Sequence, residues 1–345
     1  MFDDQLSPRP LFQSWVEPRV GDIHPAFRSW LLLALQNPAP SPMNDWPLRR
    51  QQILQLKTLS SSGRLRIVCT RATTFVAHAL QTHVSALGFA VRIEQEMPVD
   101  FHDDLYLVIC PQMFSRLPPR ERRIVFQMEQ SVHPRWFTPD YLNILYNSMA
   151  VFDYSVQNIQ FLIQQGIPSY MIFHVPLSPV HNYPGADFSR ALSVAEHADA
   201  CDVLFYGDWK NKRRQAFLKV LSEHFDVRAE RSLYGHDLWH AMAHAKVVVN
   251  IHYYENALLE STRICECLSL GARVVSETAT DQGQHPDWED RVVFTQINDA
   301  QAMVKAIHQC LQQTHVAASN LQERPYRMGP SIKTAFEALN LLTDR

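Results

Sequence analysis

The sequence lacks several features that would assign it to a class at once. No apolar run approaches the roughly 18 residues of a membrane-spanning helix, and the start, Met1-Phe2-Asp3-Asp4, has neither the basic nor the apolar region of a secretory leader. There is no excess of charge: 32 basic against 35 acidic side chains leave a net charge of −3, which removes any overall attraction to nucleic acid. Among the six cysteines (Cys69, Cys110, Cys201, Cys265, Cys267 and Cys310) there is no C-x-x-C pair and no disulfide-framework spacing. They lie mostly in apolar runs and read as reduced core thiols. The expected location is the cytoplasm, with a peripheral position at the inner face of the membrane as the other place such a chain could work.

What is present describes an ordinary globular protein, with 46% hydrophobic and 19% charged residues. A chain of 345 residues exceeds one hydrophobic core, so two domains of about 150 residues are expected. Residues 1–62 read as a proline-rich extension carrying Trp15, Trp30 and Trp46, with helices over Ala26 to Gln36 and Leu48 to Thr58, the tryptophans either packing onto the first domain or forming an exposed patch for a protein partner. Residues 63–176 alternate strands and helices, beginning with the apolar run from Arg64 to Thr70. A linker is expected over 177–200, a second α/β domain over 201–315 and a last helix over 316–345 that crosses back to the first domain.

The most informative stretch is 203–277. Val203 to Gly207 reads as a buried strand, followed by a basic loop from Asp208 to Arg214 and a helix from Ala216 to Phe225. Val247 to His252 is a second strand, Leu258 to Leu270 a helix and Arg273 to Glu277 a third strand. In a parallel sheet these strands share one carboxyl-end rim, where ligands bind. Backbone N–H groups at a helix start, with Lys212, Arg213 and Arg214 beside them, would suit an anion. A solvated cationic loop explains the same residues, and the single Gly207 makes neither a Walker loop nor G-x-G-x-x-G. Arg263 and Glu266 fall three apart on one helix, so a surface ion pair is the plain reading and a ligand-facing pair the functional one. His236, His240 and His244 recur at helical spacing, but with no H-E-x-x-H or cysteine pair nearby they read as helix-face histidines and not as a zinc site. Glu129, just past the apolar strand Ile124 to Met128, stands where an α/β protein places a working carboxylate, although a loop carboxylate accounts for it equally well.

These residues resemble glycosyltransferases of the GT-B architecture, specifically a bacterial family-1-like group with a spore-protein-like (CgeB-type) C-terminal domain. The resemblance rests on Phe205-Tyr206-Gly207 with Lys212-Arg213-Arg214, on Val249-Asn250-Ile251-His252, and on Glu260-x-x-Arg263-x-x-Glu266 with Gly271-x-x-Val274-Val275-Ser276-Glu277. In the first half it adds Gln127-Met128-Glu129-Gln130, Asp153-Tyr154-Ser155 with Gln157-Asn158, and Val175-Pro176-Leu177. It covers roughly residues 64 to 310.

The resemblance implies two Rossmann-like domains facing across a cleft, and transfer of a sugar from a nucleotide-sugar to an acceptor hydroxyl of a glycan, lipid-linked sugar or protein, with no metal or other cofactor. By position it makes Glu266 the ribose-binding carboxylate and Arg263 with Lys212, Arg213 and Arg214 the diphosphate ligands. Gly207, Asn250 and Glu260 complete the donor site. Glu129 becomes the acceptor-side base, with His133 in reserve. One departure concerns the paired glutamates of retaining members, which have seven residues between them: the position eight before Glu266 is Leu258 and the nearest carboxylate is Glu260, so the stereochemical outcome stays open. A nucleotide-sugar epimerase, which would turn over donor without acceptor, and a non-catalytic binding or scaffold protein are the alternatives.

Overall fold

A computed structural model describes residues 63–102, 104–185, 200–312, 327–339 and 341–342. The expected helices over Ala26 to Gln36 and Leu48 to Thr58, the three N-terminal tryptophans and most of the expected linker lie outside the described residues.

Two compact units result. Among the described residues the first comprises 63–73, 80–177 and 327–342, and the second 74–79 and 178–312.

The first unit is built on strands β1 (Arg64–Val68), β2 (Ala90–Glu94), β3 (Leu105–Ile109), β4 (Arg123–Gln127), β5 (Ala150–Asp153) and β6 (Ile172–His174). They pair in the order β2-β1-β3-β4-β5-β6, parallel throughout. Every residue of β3, β4 and β5 is buried while the edge strand β2 has none buried, as expected of a parallel sheet with both faces covered. The helices between strands are α1 (Thr74–Ala86), α2 (Pro139–Tyr146) and α3 (Val156–Gln164). Tyr141 and Leu145 of α2 and Ile159 and Leu162 of α3 pack with Val125 and Val151 of the sheet. Each such side chain contributes about 1.5–3 kcal/mol by leaving water.

The second unit repeats the scheme. Its strands are β7 (Cys201–Tyr206), β8 (Val227–Glu230), β9 (Ala245–Asn250), β10 (Val274–Glu277) and β11 (Val292–Thr295), in the parallel order β11-β10-β9-β7-β8. Between and after them run α4 (Lys212–Ser222), α5 (His236–Ala243), α6 (Ser261–Ser269) and α7 (Ala300–Gln312). Phe217 and Leu221 of α4 and Met303 and Ile307 of α7 bury one face against Val203, Val249 and Val275. The last helix, α8 (Met328–Ala338), belongs to the first unit, where Phe336 meets Phe89 and Phe152 at ring-centroid distances of 5.4 and 6.3 Å.

The α/β class and the two Rossmann-like sheets expected from the sequence are thus present. No helix among the described residues is long and apolar enough to cross a membrane. All six cysteines are buried and unbridged.

Several boundaries differ, each for a local reason. The helix expected from Ala216 begins at Lys212, because the Oδ1 of Asn211 accepts from the N–H groups of Arg213 and Arg214 at 2.8 and 3.3 Å and caps it there. The helix expected over Leu258 to Leu270 spans only Ser261–Ser269, which leaves Glu260 at its N-cap position. Ser155 stands at the N-cap of α3, but its hydroxyl makes no capping bond. Strand β6 is confined to Ile172–His174 by a 3-10 turn at Ser169–Met171. Within the span 316–345 expected to hold the last helix, the described helix is Met328–Ala338.

Candidate functional site

In the second unit the chain leaves β7 toward β8 on one side, then returns to build β9, β10 and β11 on the other. Ligands of open α/β sheets bind at such a reversal, outside the carboxyl ends of the two central strands. Here those ends are Tyr206-Gly207 and Asn250-Ile251-His252, and most of the expected donor-site residues gather beside them.

Arg263, in the first turn of α6, is held by three contacts. Its Nη1 pairs with Glu260 Oε2 at 2.5 Å and donates to Asn250 Oδ1 at 2.6 Å, and its guanidinium lies 5.1 Å from the centre of the Tyr206 ring. Asn250 is fully buried and donates its amide to Ser276 Oγ at 2.9 Å, so its place in the site is to orient Arg263. Gly207 has φ of +131°, a conformation side chains rarely adopt, and an added Cβ would stand 2.9 Å from Arg263 Nη2. The close approach of the guanidinium to the backbone therefore requires glycine.

Arg214 is buried and tied down. It donates to Glu260 Oε1 at 2.8 Å and to the carbonyls of Ile251 at 2.8 Å and Asp208 at 3.2 Å. The Phe205 ring has a guanidinium on two sides, Arg214 at 5.3 Å and Arg263 at 5.6 Å. Burial alone would raise the Glu260 carboxyl, but Arg263 and Arg214 outweigh it and hold Glu260 far below the usual carboxylate range. Two fixed arginines thus share one ionised carboxylate.

Arg213 faces elsewhere. It grips the fully buried Glu277 with both terminal nitrogens, one of them at 2.8 Å, and donates to the His252 carbonyl at 2.7 Å and to Asn298 Oδ1. With its charge neutralised, its part is to hold the ends of β9 and β10 together. Lys212 is exposed at the first position of α4. The cationic-loop picture is corrected on two counts: these residues are helical, and Asn211 already occupies N–H groups that an anion would need.

The plain Arg263 and Glu266 surface pair does not form. Arg263 takes Glu260, three residues earlier, and Glu266 Oε1 accepts from the Tyr183 hydroxyl at 2.8 Å. Burial pushes the Glu266 carboxyl up to about 7, against the opposing influence of Tyr183 and Arg263. Tyr183 was missed by sequence reasoning: it sits between prolines in a stretch without periodicity, and nothing local marks it.

His236, His240 and His244 line α5 and its C-cap, with the last two rings stacked 4.2 Å apart. No cluster of metal-ligating side chains occurs among the described residues.

In the first unit Glu129 follows β4. Its Oε1 accepts from Gln112 Nε2 at 2.8 Å, and burial raises its carboxyl above the usual value, with Gln112 and Arg135 acting in the other direction. His133 is half-buried and opens a 3-10 turn at Pro134–Trp136, its N–H donating to the Gln130 carbonyl at 3.2 Å. Around Glu129 lies a buried polar group of Gln127, Tyr141, Asp153 and Asn158.

Comparison with known proteins bears on the second unit. Residues 187–327 match the family model described as Glycosyl transferase-like. That span contains every strand of the second sheet and both arginine-bearing helices. A search of curated proteins finds no match. Among solved structures, the chain is similar to Anabaena Alr3699/HepE in complex with UDP-glucose (TM-score 0.47, 12% identity, covering 81% of this chain and 96% of that one). It is also similar to a sucrose-phosphate synthase from Thermosynechococcus elongatus (0.46, 12%, 81% and 96%) and to WaaG, a glycosyltransferase involved in lipopolysaccharide biosynthesis (0.44, 12%, 81% and 100%).

Proposed function

We propose that the protein is a glycosyltransferase that moves a sugar from a nucleotide-sugar donor to an acceptor hydroxyl. The observation that carries this reading is the Arg263, Glu260 and Arg214 cluster beside Gly207, at the reversal point of a sheet that lies within the glycosyl transferase-like span. Departure of a nucleoside diphosphate develops negative charge on a phosphate oxygen, and fixed cations stabilise it without reorganising. Arg263 is oriented for that task by Glu260 and Asn250, and exposed Lys212 can reach a phosphate from outside. These two side chains supply the positive charge, so turnover without a divalent metal is the expectation. Arg213 and Arg214 contribute indirectly, by holding the strand ends and Glu260.

Glu266 is the residue we assign to the ribose: a carboxyl can accept hydroxyl hydrogen bonds on the oxygen that Tyr183 leaves open. Glu129 is assigned as the base for the acceptor hydroxyl. Its buried setting raises its proton affinity toward that of a useful base, and His133 is the alternative. The acceptor oxygen forms its bond to the anomeric carbon while the bond from that carbon to the phosphate oxygen breaks, and the acceptor proton passes to the base. The finer assignment, to transferases with a spore-protein-like C-terminal domain, rests on the Glu260-x-x-Arg263-x-x-Glu266 run and Gly271.

The test is a melting-temperature screen of nucleoside diphosphates and their sugars, since a ligand that binds only the native state stabilises it by about 2.7 kcal/mol at a hundredfold excess over Kd. At least one nucleotide should raise the Tm of the wild type and fail to raise that of Glu266→Ala. If none of UDP, GDP, ADP, CDP and dTDP or their sugars binds, the donor reading is wrong.

A further inference from the structure

Glu129 would be of little use as a base on a wandering loop, and the first unit holds its main chain by a device that the proposed reaction does not itself use. The N–H of Glu129 donates to Gln127 Oε1, and its carbonyl oxygen accepts from Gln127 Nε2 at 2.8 Å and from Asn158 Nδ2 at 2.9 Å. Two residues on, the N–H of Ser131 donates to Asn158 Oδ1 at 2.9 Å. Two side-chain amides therefore clamp the loop in place of secondary structure.

Both amides are in turn aimed by one residue. Asp153, fully buried at the end of β5, accepts from Gln127 Nε2 at 2.7 Å on Oδ2 and from Asn158 Nδ2 at 3.2 Å on Oδ1. Its Oδ1 also accepts from the N–H of Ser155 at 2.8 Å, which sets the entry to α3. The remaining acceptor capacity of Gln127 Oε1 goes to the Tyr141 hydroxyl at 3.1 Å. Both hydrogens of each amide are used, and neither amide can flip without setting an N–H against an N–H. Such a network admits one arrangement only.

We propose that Asp153, acting through Gln127 and Asn158, is the positioning residue that fixes the Glu129 loop. The inference deepens the role given to Glu129 and rests on that reading for its catalytic meaning, although not for its structural content. Asp153 can serve in this way because its two oxygens meet donors only. Asn at this position would present an NH2 group to Gln127 on one side or to Ser155 and Asn158 on the other, donor against donor whichever way it turned. The conflict passes directly to the two bonds that hold the Glu129 carbonyl.

The experiment is hydrogen exchange of the full chain, comparing wild type with Asp153→Asn. Exchange at the Glu129 and Ser131 amides should accelerate about tenfold or more, while Val151 and Phe152 inside β5 keep their protection. Where an acceptor is in hand, kcat should fall about tenfold or more with the donor KM unchanged, since misplacement of a catalytic group by about 1 Å is costly. A folded Asp153→Asn whose Glu129 and Ser131 amides stay protected overturns the proposal. If that variant does not fold, the wild type decides: the side-chain NH2 protons of Gln127 and Asn158 must exchange slowly, and free exchange overturns it equally. The base assignment fails by a different result, normal turnover in Glu129→Gln, which leaves the exchange outcome standing.

Discussion

Arg263 lies so close to Gly207 that a single added carbon on the glycine would stand 2.9 Å from its Nη2. A residue at the end of one strand thereby leaves room for a guanidinium carried by a later helix. Gly207→Ala should displace Arg263 and strain a backbone at φ of +131°, at a cost of about 1–3 kcal/mol. The expected result is a lower Tm together with roughly tenfold weaker binding of a nucleoside diphosphate by calorimetry, since a charge-assisted hydrogen bond is worth about 1.5–3 kcal/mol. Undiminished affinity would remove Arg263 from the diphosphate.

Lys212 and Arg213 are neighbours in sequence with opposite expected behaviour. Lys212→Ala should leave Tm nearly unchanged and weaken diphosphate more than nucleoside. Arg213→Met should instead destabilise the fold by about 3–5 kcal/mol, because it strips the cation from the fully buried Glu277. Chemical denaturation of the two variants separates them; equal stability would show that the Glu277 pair is dispensable.

The Glu266 carboxyl is raised from 4.5 to about 7 in the folded chain, chiefly by burial. The native state then binds more protons than the unfolded state between those values, so stability falls as pH rises through that window, at up to about 1.4 kcal/mol per pH unit. Glu266→Gln should flatten the Tm profile between about pH 5 and 7. A profile identical to wild type would mean that Glu266 is ionised throughout.

Glu129→Gln should lower turnover about 100-fold or more with donor affinity unchanged, because a base acts only in the chemical step. Transfer rate at saturating donor and acceptor is the measurement. Near-normal turnover would move the assignment to His133.

Much of the scaffold was legible because parallel strands buried on both faces write themselves as unbroken apolar runs, as Leu105 to Ile109 and Val247 to Val249 do. The site was legible only as a neighbourhood. Arg263 has a carboxylate three residues to either side, and no spacing argument chooses between Glu260 and Glu266; the choice is made by Asn250 and Gly207, which arrive from other strands. Asn211 looked like part of a basic loop, yet its amide starts the helix. Gln112 reaches Glu129 directly, and Tyr141 and Asp153 reach it through Gln127, each from a different element, so no local pattern could announce them.

Helix α8 completes the core of the first unit with Phe336, although it comes after the whole of the second in the chain. On a ribosome, chains generally fold from the N-terminal end as each unit emerges. Here Phe89 and Phe152 of the first unit cannot meet Phe336 until the chain has been made as far as α8. The unit begun first is the one finished last, and a message truncated after the second sheet would yield a protein whose earlier half lacks its closing piece.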